Sequence, residues 1–257
     1  MKSFWASSVV VCGLACSLAC SSSDDPSKPK ELTDATALDL TDVKTNPSAY
    51  DFGDFRPNVQ KLILAGAAET EHIAILWYTV TNGAVGLHYH AKTESVYVID
   101  GTQTDAKGSY ETGTVYFNPP GSGHEISDSS GFFLLAYAAP PDFMSTDLIG
   151  EYEPIRIDTT DPDLTSEYPF EEQSAGIKTF SAPLDSEGGL SAQFIETTQT
   201  SAHEFTGNYL LVLGGSCEVD GITFGEEKLI VSKTVEPIAL DVAASAGSRC
   251  LALGVSF

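Results

Sequence analysis

Short apolar runs separated by glycine, proline, asparagine or aspartate recur along the chain: Ile73 to Val80, Ser95 to Ile99, Thr114 to Phe117 and Phe132 to Tyr137. Runs of this length, rich in β-branched and aromatic residues and regularly punctuated, predict strands of an all-β sandwich or barrel. After Ile177 the pattern resumes and echoes the first half. Glu94 stands seven residues before Gly101, and Asn208 seven before Gly215, each across an apolar run, and Gly113 corresponds to Gly225. A period of about 114 residues, the step from Glu94 to Asn208, implies a duplicated domain rather than a solenoid.

The flanks read differently. Lys2 precedes an uncharged run from Phe4 to Ala19, so residues 1–19 have the pattern of a secretory signal, too short and broken for a membrane span. Ser17-Leu18-Ala19-Cys20, followed by Ser21-Ser22-Ser23-Asp24-Asp25-Pro26, resembles a bacterial lipoprotein signal. That resemblance implies lipidation at Cys20 and an exported protein, periplasmic or at the cell surface, that meets the membrane through its lipid anchor alone; plain secretion is the alternative. Residues 20–57 read as a polar tether and arm, with order expected from about Leu62. Residues 58–143 form the first domain. Residues 144–173 carry nine acids against Arg156, with Pro154, Pro162 and Pro169, and read as an acidic linker to the second domain at 174–257.

Composition narrows the class of partner. The 257 residues are 42% apolar, enough to build real cores, and 36 acids against 13 bases give a net charge of −23. Such a surface repels nucleic acid, leaving a small-molecule ligand as the expected partner. Of five cysteines only Cys217 and Cys250 lie beyond the leader and its Cys20. In an oxidising compartment they can form a disulfide or remain two buried thiols.

The chemistry concentrates in one window. His88, His90 and Glu94 are evenly spaced, so on extended chain they project from one face, and His124 arrives from a later hairpin. Three neutral imidazoles and a carboxylate suit one divalent transition metal; Fe, Zn, Mn and Ni are not distinguished by this donor set. His72 and His203 read as ordinary structural or surface histidines. Trp77, Tyr89, Tyr97 and Tyr116 are candidates to line the pocket, with plain core aromatics as the alternative. Lys92 is a candidate contact for an anionic substrate at the barrel mouth, or else an exposed turn lysine.

His88-Tyr89-His90, then Glu94 and Gly101, followed by Gly113, Pro119-Pro120-Gly121 and His124, match the spacings of the two cupin motifs. The chain resembles the cupin superfamily. Asp105-Ala-Lys-Gly108-Ser-Tyr110 and Asn118 through His124, then Ser130-Gly131-Phe132, resemble ChrR-type cupins. Gly83 lies one residue closer to His88 than the motif has it, and Asp128 replaces its terminal asparagine. The resemblance implies two jelly-roll barrels, with His88, His90, Glu94 and His124 as metal ligands in the first. The second barrel is degenerate: Ala202 and Glu204 align with the histidine positions and Glu236 falls near that of His124. The resemblance also implies a dioxygenase-like enzyme acting on a small diketone or hydroxyketone, or a zinc-binding module of the anti-sigma type. A non-catalytic zinc or ligand sensor, or a metal-assisted hydrolase, lyase or isomerase, fits the same donors. Exposed barrel edges make a homodimer reasonable.

Overall fold

The structure is a computed structural model and describes residues 32–144 and 151–257. The leader and Cys20 lie outside the described residues. No helix among the described residues is long and apolar enough to cross a membrane.

The described chain opens with β1 (Ala35–Asp39) and the short helix α1 (Leu40–Thr45), whose first turn is capped by the Asp39 carboxylate accepting from the Thr41 N–H at 3.0 Å. The first barrel contains β2 (Gly53–Arg56), β3 (Val59–Gly66), β4 (His72–His90), β5 (Glu94–Asp105), β6 (Gly108–Glu111), β7 (Thr114–Asn118), β8 (Ser122–Tyr137) and β9 (Ile155–Asp158). Its sheet runs β2-β3-β4-β8-β5-β7-β9, with β6 added to β5. The one-turn helix α2 (Leu164–Glu167) leads into β10 (Glu171–Ser174), β11 (Ile177–Ser181), β12 (Ser191–Thr197), β13 (His203–Gly207), β14 (Tyr209–Val219), β15 (Ile222–Gly225), β16 (Lys228–Ser232), β17 (Ile238–Ala244) and β18 (Cys250–Ser256). These strands, joined by β1, make the second barrel. The strand pairs described are antiparallel, the architecture of two cupin jelly rolls.

Order begins earlier than the polar composition suggests. β1 pairs with β16 over Ala35↔Ser232 to Asp39↔Lys228, so the arm is a strand of the second barrel rather than a loose lead-in. Leu40 and Val43 of α1 anchor it by full burial. The acidic connection is likewise not wholly irregular: Ile155–Asp158 extends the first sheet as β9, pairing Val115 with Ile157. Ile157 is fully buried and Ile155, on the same face, packs against the same core, while Arg156 and Asp158 face out.

Three cores follow from the strand faces. Leu76, Tyr78, Val96, Val98, Phe133 and Leu135 fill the first barrel. Phe205, Leu210, Val212, Leu240, Val242 and Ala252 fill the second, with the Cys217–Cys250 disulfide among them. The largest cluster joins the barrels: Ile73, Ile75 and Leu134 from the first pack in the same core as Phe194, Tyr209, Leu211 and Leu253 from the second. Strands buried on both faces need continuous rather than alternating apolar sequence, which is why Ile73 to Tyr78 and Phe132 to Tyr137 contain almost no polar residue.

The internal repeat has a structural counterpart. Gly101 and Gly215 have φ of +89° and +76°, and a Cβ on either would strike the carbonyl of Ser130 or Arg249 on the neighbouring strand. The Gly101 N–H donates to Thr112 Oγ1 and the Gly215 N–H to Glu226 Oε1, both at 3.0 Å and both eleven residues on. Because the shared core couples the barrels, Leu134→Ala is expected to destabilise the protein by about 2–5 kcal/mol while unfolding stays a single transition. Denaturant melts followed by tryptophan fluorescence and far-UV dichroism check this, and two separated transitions in the parent protein would show the barrels to be independent.

Candidate metal centre

His88 and His90 lie at the end of β4, Glu94 at the start of β5 and His124 near the start of β8. The chain turns between His90 and Glu94, so Glu94 comes from a different strand; the even spacing is real, but a continuous extended segment is not what joins them. β8 brings His124 directly opposite His88 in register. One candidate donor atom from each of the four residues lies within 4.8 Å of all the others. His90 Nε2 is 3.2 Å from His124 Nε2 and 3.3 Å from Glu94 Oε2, and His124 Nε2 is 3.6 Å from the same oxygen. All four side chains are buried.

Surrounding groups turn the donors toward one point. His88 Nδ1 donates to the Gly86 carbonyl at 2.9 Å, and His124 Nδ1 donates to Asp105 Oδ2 at 3.1 Å, so each leaves its Nε2 lone pair facing the cluster. Asn118 Nδ2 donates to Glu94 Oε2 at 2.8 Å. Asp105 also accepts from the backbone of Lys107 at 2.7 Å and Gly108 at 3.2 Å, which fixes the carboxylate in its hairpin. Lone pairs and a carboxylate converging in a buried site require a positive charge among them, and the nitrogen and oxygen donors fit a single divalent transition metal.

Electrostatics agree with that reading. Burial, reinforced by the charges of His124 and His90, pushes His88 down to about 3, and burial lowers His90 to about 4. Burial alone would raise Glu94, but His90 and His124 outweigh it and hold the carboxyl well below its usual range. Burial alone would lower His124; its bonds to Asp105 and Glu94 dominate and lift it to about 9. A proton on His124 and a divalent cation are therefore alternatives at this point.

The space beside the donors is small. A cavity of about 20 Å³, near the size of one water, is walled by apolar side chains including Leu76, Val85, Ile126 and Leu135. Phe143 covers its mouth, stacked on His88 with centroids 5.1 Å apart. Tyr89 holds that cover in place through its backbone, exchanging two 2.8 Å hydrogen bonds with Asp142. The second barrel meets the site at one turn: Thr93 N–H donates to the Gly188 carbonyl at 2.9 Å and Lys92 Nζ to the Glu187 carbonyl at 2.6 Å, docking the loop between His90 and Glu94.

Other candidates fall elsewhere. Lys92 is exposed and bound to that carbonyl, away from the cavity. Trp77 stacks on Phe132 at 5.6 Å and Tyr97 packs in the core between the barrels, because alternation on β4 and β5 turns these positions away from the barrel interior. Tyr116 is inside the first barrel, stacked 3.9 Å from Tyr110, but does not line the cavity. His72 is fully buried and His203 half-buried, and neither joins the donor cluster. Asp105, Asn118, Phe55, Tyr137 and Phe143 had no assigned part in the sequence reading. Asp105 lay within the ChrR-like motif, and the signal that could have found it is its place in the turn before Gly108, from which a short carboxylate reaches inward.

His90→Ala is expected to reduce bound metal to background while His203→Ala leaves it unchanged, measured by elemental analysis of purified protein; equal losses in both would overturn the ligand assignment. Zinc loading at pH 7 should release about one proton, and apparent affinity should fall about ten-fold per pH unit below about 9 as the proton competes for His124. The fall should steepen near about 4, where His90 begins to protonate. Calorimetry in buffers of different ionisation enthalpy reads the proton count, and an affinity flat between pH 8 and 5 would contradict it.

Comparisons with known proteins follow the same lines. The ChrR cupin-like domain matches residues 40–140, the stretch that holds all four donors. A candidate dioxygenase from Nostoc punctiforme aligns over 87% of this chain and 82% of its own at 10% identity, with a TM-score of 0.57. A candidate glyoxylate-induced protein from Pseudomonas aeruginosa aligns over 90% and 92% at 14% identity, with a TM-score of 0.50. At these identities the likeness is one of fold. No curated protein matches the sequence. The motif spacings, the two jelly rolls and the buried donor set are similar to those of cupins, and residues 40–140, which hold the donors, match the ChrR cupin-like domain.

Proposed function

We propose that the first barrel is a metal-dependent, dioxygenase-like enzyme for a small diketone or hydroxyketone. The observation that carries this reading is the donor set: three imidazoles and one carboxylate converge beside a cavity with apolar walls, and a divalent transition ion held by four donors would have room for further ligands. A bound divalent ion supplies Lewis acidity to a pair of substrate oxygens and, as iron(II), a site for dioxygen. The chain's own groups do the rest. His88, His90, His124 and Glu94 would hold the ion, Asp105 keeps the His124 lone pair turned inward, and the apolar walls exclude bulk water. Phe143 must leave His88 for a two-oxygen chelator to enter, because the cavity as folded has room for about one water. The fold likeness to the Nostoc punctiforme candidate dioxygenase supports the class and no particular substrate.

The small size of the cavity favours a second reading, a non-catalytic module in which zinc presents one position to a very small ligand. Export through the leader, with tethering at Cys20, suits it as well, since zinc outcompetes iron(II) at such donors. Oxygen uptake by iron-reconstituted protein, measured across a panel of small diketones and hydroxyketones, separates the two. The enzyme reading expects uptake that drops about 10–100-fold in Asp105→Asn, which has one acceptor oxygen in place of two: with that oxygen kept by the Lys107 and Gly108 N–H groups, an uncharged NH2 faces His124 Nδ1. Zinc in the purified protein and no turnover on any compound would establish the sensor instead.

A further inference from the structure

Lys61 is a charged side chain that the metal centre does not use, and its surroundings are unusual. It lies on β3 and faces into the first barrel with 8% of its surface exposed. In a chain with 23 more acids than bases, none of the ion pairs among the described residues includes it. Among the described residues its ammonium hydrogen-bonds to His72 Nε2 at 3.2 Å. His72 Nδ1 donates to the Thr70 carbonyl at 2.8 Å, which makes Nε2 an acceptor and the Lys61 ammonium the donor. The ammonium otherwise rests on two aromatic faces, 4.0 Å from the Phe55 centroid and 5.1 Å from that of Tyr137. Those two rings are walls of the metal-site cavity.

A buried ammonium without a carboxylate is costly unless something anionic offsets it. Burial lowers Lys61 to about 8, which leaves it a cation at neutral pH. With a dication held by the four donors, the barrel interior contains that dication, the Lys61 ammonium and the carboxylates of Glu94 and Asp105, leaving a single uncompensated positive charge. Arg56 adds a cation at the mouth, 3.8 Å above the Phe143 ring. We infer that Lys61 makes the loaded site selective for a small monoanion, such as an enolate or a carboxylate, which completes both the coordination sphere and the charge balance. The inference deepens the metal-site reading and rests on it. Lys61 acts through the field behind Phe55 and Tyr137, not by contact, so it is a positioning residue.

Cobalt(II)-loaded full-length protein titrated with azide, followed by its visible and near-ultraviolet absorption, tests this. Lys61→Met replaces the ammonium with an apolar chain of similar length and should weaken azide binding about ten-fold or more, at unchanged cobalt content. Lys61→Arg restores the charge and should bind within about three-fold of the parent. A purely structural lysine predicts the opposite pattern, with Met tolerated and azide affinity unaltered. Equal azide affinity in the parent and Lys61→Met, or no azide binding to cobalt-loaded parent, overturns the inference while the metal site stands. Failure of the parent to hold cobalt overturns the metal site and this inference together. Should Lys61→Met fail to fold, Lys61→Gln carries the same expectation of about ten-fold weaker azide binding.

Discussion

Three imidazole lone pairs and a carboxylate aimed at one point inside an apolar barrel are unstable neighbours unless a positive charge sits among them. Much of the first barrel's polar detail serves that arrangement. The Gly86 carbonyl and Asp105 each fix a ring by its far nitrogen, and Asn118 fixes the carboxylate. These supports come from three separate places in the chain, so the geometry depends on the whole barrel being closed. A loop-borne site would lose it to thermal motion; strands that are paired along both edges hold it.

The second barrel shows what the same scaffold becomes without that demand. Asn208 occupies the position that repeats Glu94, and its amide is spent on the backbone: Nδ2 donates to the Val235 carbonyl and Oδ1 accepts from the Phe257 N–H at 2.8 Å. Where the first barrel keeps a polar cluster, the second has a disulfide among aliphatic side chains. Its link to the metal centre is mechanical. The Ser186–Gly188 turn receives hydrogen bonds from Lys92 and Thr93, and a Cβ at Gly188 would collide with the Thr93 side chain. The turn between two metal ligands is thus set against the neighbouring barrel, which gives the duplication a physical purpose beyond packing area.

Much of this was legible in the sequence, for identifiable reasons. Strand positions were readable because the apolar runs end in turns whose chemistry is local. The donors were readable because their spacings match a known motif. The role of Gly101 and Gly215 could be anticipated as a repeat, though not the close approach that forbids a side chain there. What escaped depended on long-range partners. Nothing local marks Ala35–Asp39 as a strand of the second barrel, since its partner β16 is almost two hundred residues away. Trp77 and Tyr97 were indistinguishable from pocket residues because runs buried on both faces erase the alternation that would have separated inside from outside.

The same erasure bears on Phe143 and Lys61, the two residues that most restrict what the site can admit. Phe143 follows the last donor, His124, by nineteen positions and reaches His88 where the Tyr89 and Asp142 backbones pair. Lys61 is polar in a strand whose inward neighbour Val59 is buried, so sequence alone would place it as a solvent-facing break in the run. Burying it costs stability that an apolar residue would not. A barrel that keeps an ammonium behind two aromatic walls and a phenyl ring beside the small cavity at its donors is therefore organised around charge and size of the ligand, and not around the metal alone. The four donors set which ions can enter; Lys61 and Phe143 set what can join the ion there.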